Sequence, residues 1–231
     1  MFKYAIDFKG SIPAEGDVMS FVFTSPEPIA WTPGQFIHYT LPHKDADQRG
    51  EERWFTISSA PFEGDIWITT RINSEYSSSF KQKLMAMQAG DPIEADMPEG
   101  DFTIDDLDRD YVFVVGGIGI TPFLSILKHL DHEGKGLRAE LLYANRNADS
   151  IPFKDDLEAF GRRHPGFNIT YFIGDNIIDE AALKAAGEKL NDPIYFVSGP
   201  EPMVEAFEAK FKEMGIDEAH SKFDYFPGYD A

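Results

Sequence analysis

The chain has 231 residues, 42% of them hydrophobic and 26% charged, enough for two compact cores of roughly 110 residues each. Forty acidic residues against 21 basic ones leave a net charge of −19, which argues against nucleic acid and anionic lipid as partners. Cysteine is absent, so this chain has no disulfide, no thiolate nucleophile and no cysteine ligand for an iron–sulfur cluster.

Residues 1 to about 105 read as short strands parted by turn residues. Val18-Met19-Ser20-Phe21-Val22-Phe23 is the first candidate, ended by the turn-rich Thr24-Ser25-Pro26-Glu27-Pro28. Phe36 to Leu41 follows Pro33-Gly34, Arg53-Trp54-Phe55-Thr56 ends another strand, and Asp65 to Arg71 follows Gly64. β-branched and aromatic residues at this spacing predict a small antiparallel barrel. One helix is expected in it, over Phe80 to Met87, capped by the serines at 77–79 and ended by Gly90.

The acidic stretch Thr103 to Asp110 reads as a linker, and the texture then changes. Tyr111-Val112-Phe113-Val114-Val115 is a continuous apolar run, as in a strand covered on both faces. Helices are expected from Pro122 to Leu130, near Lys154 to Arg163, after an Asp179 cap, and from Met203 to Met214. Between them lie strands at Ala139 to Tyr143, Asn168 to Ile173 and Ile194 to Val197. This alternation predicts a doubly wound parallel sheet. The longest apolar run, Tyr111 to Leu127, is broken by three glycines and a proline. The N-terminal Met1-Phe2-Lys3-Tyr4 has no charged-then-apolar pattern, so a soluble cytoplasmic protein is expected.

Three segments carry candidate chemistry. Gly116-Gly117-Ile118-Gly119-Ile120-Thr121-Pro122 lies between an apolar strand and a helix. Glycines there let backbone N–H groups approach a pyrophosphate at a helix N-terminus; the competing reading is a tight turn of packing glycines. Thr121 can cap that helix and Pro122 suits its first turn. In Arg53-Trp54-Phe55-Thr56 an arginine can pair with a phosphate, aromatics can stack on a ring and a hydroxyl can bond a ring nitrogen; an ordinary amphipathic strand reads the same way. Ser198-Gly199-Pro200, with Met203 just beyond, puts a small hydroxyl at the carboxyl edge of the sheet, where α/β folds bind ligands.

In order and spacing, these segments resemble the ferredoxin–NADP reductase family over nearly the whole chain. The resemblance implies a β plus α/β protein: a six-stranded antiparallel flavin-binding barrel at 1–105, then a doubly wound parallel-sheet domain for NAD(P)H at 106–231, ending in an aromatic tail. Arg53-Trp54-Phe55-Thr56 is similar to the family's flavin motif, with Phe55 in place of tyrosine. It implies that Arg53 holds a flavin phosphate, Phe55 packs on the isoalloxazine and Thr56 bonds near the reactive N5. Ser78-Ser79-Phe80 is similar to the segment whose helix N-terminus takes the flavin pyrophosphate, without the usual preceding glycine. Gly90-Asp91 and Pro98-Glu99-Gly100-Asp101-Phe102 match later turns.

By the same resemblance, the Gly116 to Pro122 turn serves the nicotinamide dinucleotide pyrophosphate, and Ser198 stands where a cysteine usually lies beside the nicotinamide. Asn145 and Arg146 follow the strand ending at Tyr143-Ala144, where the adenosine ribose is expected. An arginine there, with no evident carboxylate for the ribose, favours NADPH over NADH. The terminal Phe223 to Tyr229 carries four aromatics, and Phe226, then Tyr229, is the expected shield of the flavin face; packing on the barrel is the alternative. His129 and His132 at a helix end read as ordinary surface residues, not metal ligands.

The resemblance thus implies an FAD-dependent oxidoreductase that moves hydride from nicotinamide to flavin N5. Thr56 and Ser198 tune the geometry, and electrons leave for a separate acceptor, a redox protein. Two other readings stay open: a diaphorase-like reductase of free flavin, ferric chelate or quinone, and a non-enzymatic nucleotide-binding subunit of a redox complex.

Overall fold

The computed structural model describes residues 3–72 and 77–226, with Phe226 through its backbone alone. Contacts divide the chain into two units, one of residues 1–103 with 121–129, the other of 104–120 with 130–231. Residues 121–129 therefore pack with the first unit, a grouping that a single cut at 105/106 does not contain.

The first unit is an antiparallel six-stranded sheet. Its strands are β1 (Tyr4–Pro13), β2 (Val18–Thr24), β3 (Phe36–Thr40), β4 (Glu52–Thr56), β5 (Ile66–Arg71) and β6 (Pro92–Ala95), in the order β4-β3-β6-β1-β2-β5. An Ile57–Ile68 bridge joins the end of β4 to β5 and closes the sheet into a barrel. Every second residue points inward, so Ile6, Phe8, Phe21, Phe23, Ile37, Tyr39, Phe55 and Ile68 fill one core. Helix α1 (Ser79–Ala86) adds Phe80 and Leu84 to that core. Ser78 caps it by accepting the Lys81 N–H at 3.4 Å.

The second unit holds five parallel strands: β7 (Asp110–Gly116), β8 (Arg138–Asn145), β9 (Phe167–Ile173), β10 (Ile194–Pro200) and β11 (Ser221–Phe226). Their order is β11-β10-β7-β8-β9. All seven residues of β7 are buried, as its unbroken apolar run requires of a central strand. Helix α2 (Thr121–His132) follows β7, α3 (Lys154–Arg163) packs on β9, α4 (Glu180–Gly187) on β7, and α5 (Glu201–Met214) on β10 and β11. Asp179 caps α4 by accepting the Ala182 N–H at 2.8 Å. Leu183, Val204, Phe207 and Phe211 meet Val112, Val114, Leu142 and Val197 in the core beneath α4 and α5.

The chain runs from β7 outward through β8 and β9, then returns to β10 and β11 on the other side of β7. The winding reverses between β7 and β10, and ligands bind at the carboxyl ends flanking such a reversal. The segment expected to be an aromatic tail is, through Phe226, the strand β11. It lies in register beside β10, Tyr195 opposite Ser221 and Pro200 opposite Phe226. Parallel pairing gives its backbone polar groups their partners, so this segment joins the sheet. No helix among the described residues is long and apolar enough to cross a membrane.

Candidate functional site

In the first unit the candidate residues meet where the end of β4 approaches the start of α1. Arg53 is largely buried and committed. Its Nη2 donates to Asp47 Oδ1 at 3.0 Å, and Nη1 faces the carbonyls of Glu52, Arg49 and Gly50 at 2.6, 2.8 and 3.1 Å. The guanidinium also lies 5.5 Å from the centre of the Phe80 ring. The Asp47 carboxylate accepts the Ser79 N–H at 3.0 Å and the Arg49 N–H at 2.9 Å. Burial pushes the Asp47 carboxyl up, but the Ser79 and Arg49 amides and the Arg53 guanidinium outweigh it and hold its pKa below the ordinary carboxylate value. Burial lowers the pKa of Arg53, against the pull of Asp47. One guanidinium and the first N–H of a helix thus converge on one anionic group, the donor set that suits a phosphate. The Asp47 carboxylate stands in for such an anion, so the residues present fit a flavin phosphate.

The aromatics of the motif divide between the two sides of β4. Phe55 is 8% exposed and packs against Phe80 and Tyr39, with ring centres at 5.7 and 6.2 Å. Trp54, 54% exposed, lies against the His38 ring at 4.3 Å, and His38 Nδ1 is 3.0 Å from Asp96 Oδ2. The structure therefore places Phe55, the expected stacking ring, in the barrel core and leaves Trp54 as the exposed ring of the motif. Thr56 is buried at the end of β4.

In the second unit the carboxyl ends of β7 and β10 press together. A Cβ on Gly119 would lie 2.3 Å from the Ser198 carbonyl oxygen, and one on Gly116 would lie 2.4 Å from Met203 Sδ. A Cβ on Gly199 would lie 3.1 Å from the same sulfur, so Gly116, Gly119, Ser198, Gly199, Pro200 and Met203 form one close-packed junction. Gly117 sits at φ +52°, in the left-handed region that suits glycine. Close approach therefore explains Gly116 and Gly119, and backbone conformation explains Gly117. The turn runs as a short 3-10 segment over 117–120 into α2, which Thr121 and Pro122 open.

Tyr143, fully buried on β8, donates from its hydroxyl to the Gly117 carbonyl at 2.9 Å and lies 3.3 Å from that of Pro152. Asn145 ends the same strand, 7% exposed, with both amide atoms buried and lacking a hydrogen-bond partner. An unsatisfied buried amide is costly, and a nucleotide at this sheet edge would supply its donor and acceptor. Arg146 beside it is exposed, and no carboxylate among the described residues pairs with it. Ser198 is fully buried and hydrogen-bonded to Asp224. The Phe226 side chain and Tyr229, the expected flavin shields, lie outside the described residues.

Asp47, Tyr143 and Asp224 are the site residues that the sequence reading did not assign. Tyr143 belongs to an apolar strand beside the glycine turn, which was a usable signal; Asp224 lies in the mixed segment Ser221 to Phe226 and gave none. Asp47 had none, because its contacts to Arg53 and Ser79 are set by the course of a polar loop.

A six-stranded antiparallel barrel and a doubly wound sheet with a glycine turn at its winding reversal define a two-domain fold of the flavin-reductase type. Residues 113–209 match the family model described as the oxidoreductase NAD-binding domain. The chain is 29% identical over 222 residues to the ferredoxin reductase component of 3-ketosteroid-9-alpha-monooxygenase from Rhodococcus rhodochrous, covering 91% of this chain and 61% of the relative. It is 33% identical over 201 residues to a flavohemoprotein of Candida albicans, covering 78% of this chain and 48% of that one. The cytochrome b5 reductase domain of Ulva prolifera nitrate reductase superposes with a TM-score of 0.79 at 22% identity, covering 96% of this chain and 97% of that domain. That likeness shows the fold. Residues 113–209 thus carry an oxidoreductase NAD-binding domain, and the chain is similar to ferredoxin reductase components; it spans 61% or less of the length of these two curated relatives.

Proposed function

We propose that this protein is an FAD-dependent NAD(P)H oxidoreductase that passes electrons to a separate acceptor. The observation that carries the reading is the convergence of Arg53 and the Ser79 N–H on one anion position at the start of α1. In this reading Arg53, Ser78, Ser79 and α1 hold the flavin phosphates, Phe80 supports the guanidinium, Trp54 is the exposed aromatic available to the ring, and Phe55 and Thr56 support the strand from the buried side. The Gly116–Gly119 turn, Thr121, Pro122, Asn145 and Arg146 hold NADPH, or NADH, and Ser198, Gly199, Pro200 and Met203 form the floor beside its nicotinamide. FAD, when bound, supplies the chemistry that links a two-electron nicotinamide donor to its acceptor; the protein positions the two rings and sets the surrounding field. The barrel is residues 1–105 and the nucleotide domain 106–231 in this assignment, and the site of action is the cytoplasm. The R. rhodochrous relative is a ferredoxin reductase component of a monooxygenase, which favours a redox-protein acceptor for this chain.

The test is direct. The purified protein should carry a yellow chromophore that heat releases and that runs with an FAD standard. Anaerobic NADPH should bleach it. A colourless protein that takes up no FAD, or a pure FMN release, would overturn the assignment. Arg53→Ala should lose most of the flavin.

A further inference from the structure

Residues 42–51 connect β3 to β4, and none of them is buried. Polar contacts hold this loop in place. The Asp47 N–H donates to Ser79 Oγ at 2.9 Å, His43 Nε2 lies 2.9 Å from the same hydroxyl, and the Ser79 N–H returns to Asp47 Oδ2 at 3.0 Å. Arg53 closes the set through Asp47 Oδ1 and the carbonyls of Arg49 and Gly50. The loop's own carboxylate thus uses both donors assigned above to the flavin phosphate.

We propose that Asp47 is an internal competitor for the flavin phosphate, so that flavin loads only as the 42–51 loop lifts from Arg53 and helix α1. The proposal rests on the flavin reading of that site. One N–H proton serves one acceptor well, and the Arg53 Nη1 protons already face loop carbonyls. A carboxylate and a phosphate within about 4 Å of each other also repel. The loop has no buried side chain of its own, so lifting it breaks mainly the polar contacts named above, and the incoming phosphate replaces those to Arg53 and the Ser79 N–H. Asp47 therefore sets flavin affinity without touching the flavin ring.

The test titrates FAD into the flavin-stripped full chain, for wild type, Asp47→Asn and Asp47→Ala. Removing the competing charge should tighten FAD binding roughly tenfold. Wild type that binds FAD while both variants bind it equally or more weakly overturns the competition and makes Asp47 a support for Arg53. If no form binds FAD, the flavin reading itself fails and the competition with it, a result distinct from the preceding one. A second measurement needs no variant. Lys44 and Arg49 make the loop a trypsin target, and saturating FAD should speed cleavage of wild type after these residues several-fold. Unchanged or slower cleavage means that the loop does not lift.

Discussion

The hydroxyl of Ser198 donates to the Asp224 carboxylate at 3.3 Å, from one strand to its neighbour in the parallel pair β10–β11. Burial pushes the Asp224 carboxyl up to about 6, against the opposing pull of Ser198. A raised pKa means that the folded state binds this proton more tightly than the unfolded chain does. The associated stability is fully present below about pH 4 and is lost as pH rises through about 6. At pH 8 the buried charge costs about 3 kcal/mol. Asp224→Asn should therefore raise the melting temperature at pH 8 and change it little at pH 4. A variant that melts lower at pH 8 would show that the charged carboxylate is needed by the fold.

Tyr143 ties the glycine turn to the strand beside it. Tyr143→Phe removes the proton shared by the Gly117 and Pro152 carbonyls and leaves the buried space filled. The loss should cost about 1–3 kcal/mol in stability. A loosened turn should also raise KM for the nicotinamide nucleotide several-fold while leaving flavin affinity unchanged. Chemical denaturation and steady-state kinetics read the two effects separately, and an unaltered KM confines Tyr143 to the core.

Arg146 offers an exposed guanidinium, with no carboxylate partner among the described residues, beside the orphaned Asn145 amide. If it pairs with a 2′-phosphate, Arg146→Ala should cost roughly 1.5–3 kcal/mol in kcat/KM with NADPH and little with NADH. Equal losses with both nucleotides would assign the residue to the adenine instead.

The net charge of −19 bears on the acceptor. Acidic redox proteins meet like-charge repulsion, which salt relieves as the screening length shortens to ~8 Å at physiological strength. Reduction of an acidic ferredoxin should be slow at 10 mM salt and faster at 300 mM, whereas cytochrome c and quinone should be reduced faster than ferredoxin at low salt. A ferredoxin rate that falls as salt rises would reveal a local basic docking patch.

The nucleotide half was legible because its strands are buried on both faces and read as apolar runs. Tyr111 to Val115 fell wholly within β7, and Lys154 to Arg163 matched α3 end to end. The barrel was harder to read. A register shift between Phe8 and Gly10 breaks the alternation of β1, and β6 has four residues and opens on Pro92. β11 was hidden for another reason: Ser221, Lys222 and Asp224 interrupt its aromatics, so the segment lacks the continuous apolar run of β7 and looked like an appendage. Phe55 was expected to stack on a ring, but whether it or Trp54 faced the core depended on how the sheet closes.

Gly116, Gly199 and Met203 have a consequence for how this protein can vary. The thioether fills the space that a methyl group on Gly116 would need and crowds the one on Gly199. Alanine at position 116 therefore requires Met203 to move or shorten and Pro200 to give slightly, and shortening Met203 alone leaves a void beside two bare backbones. The three positions are mutationally interlocked, and a designer who altered one would have to rebuild all three.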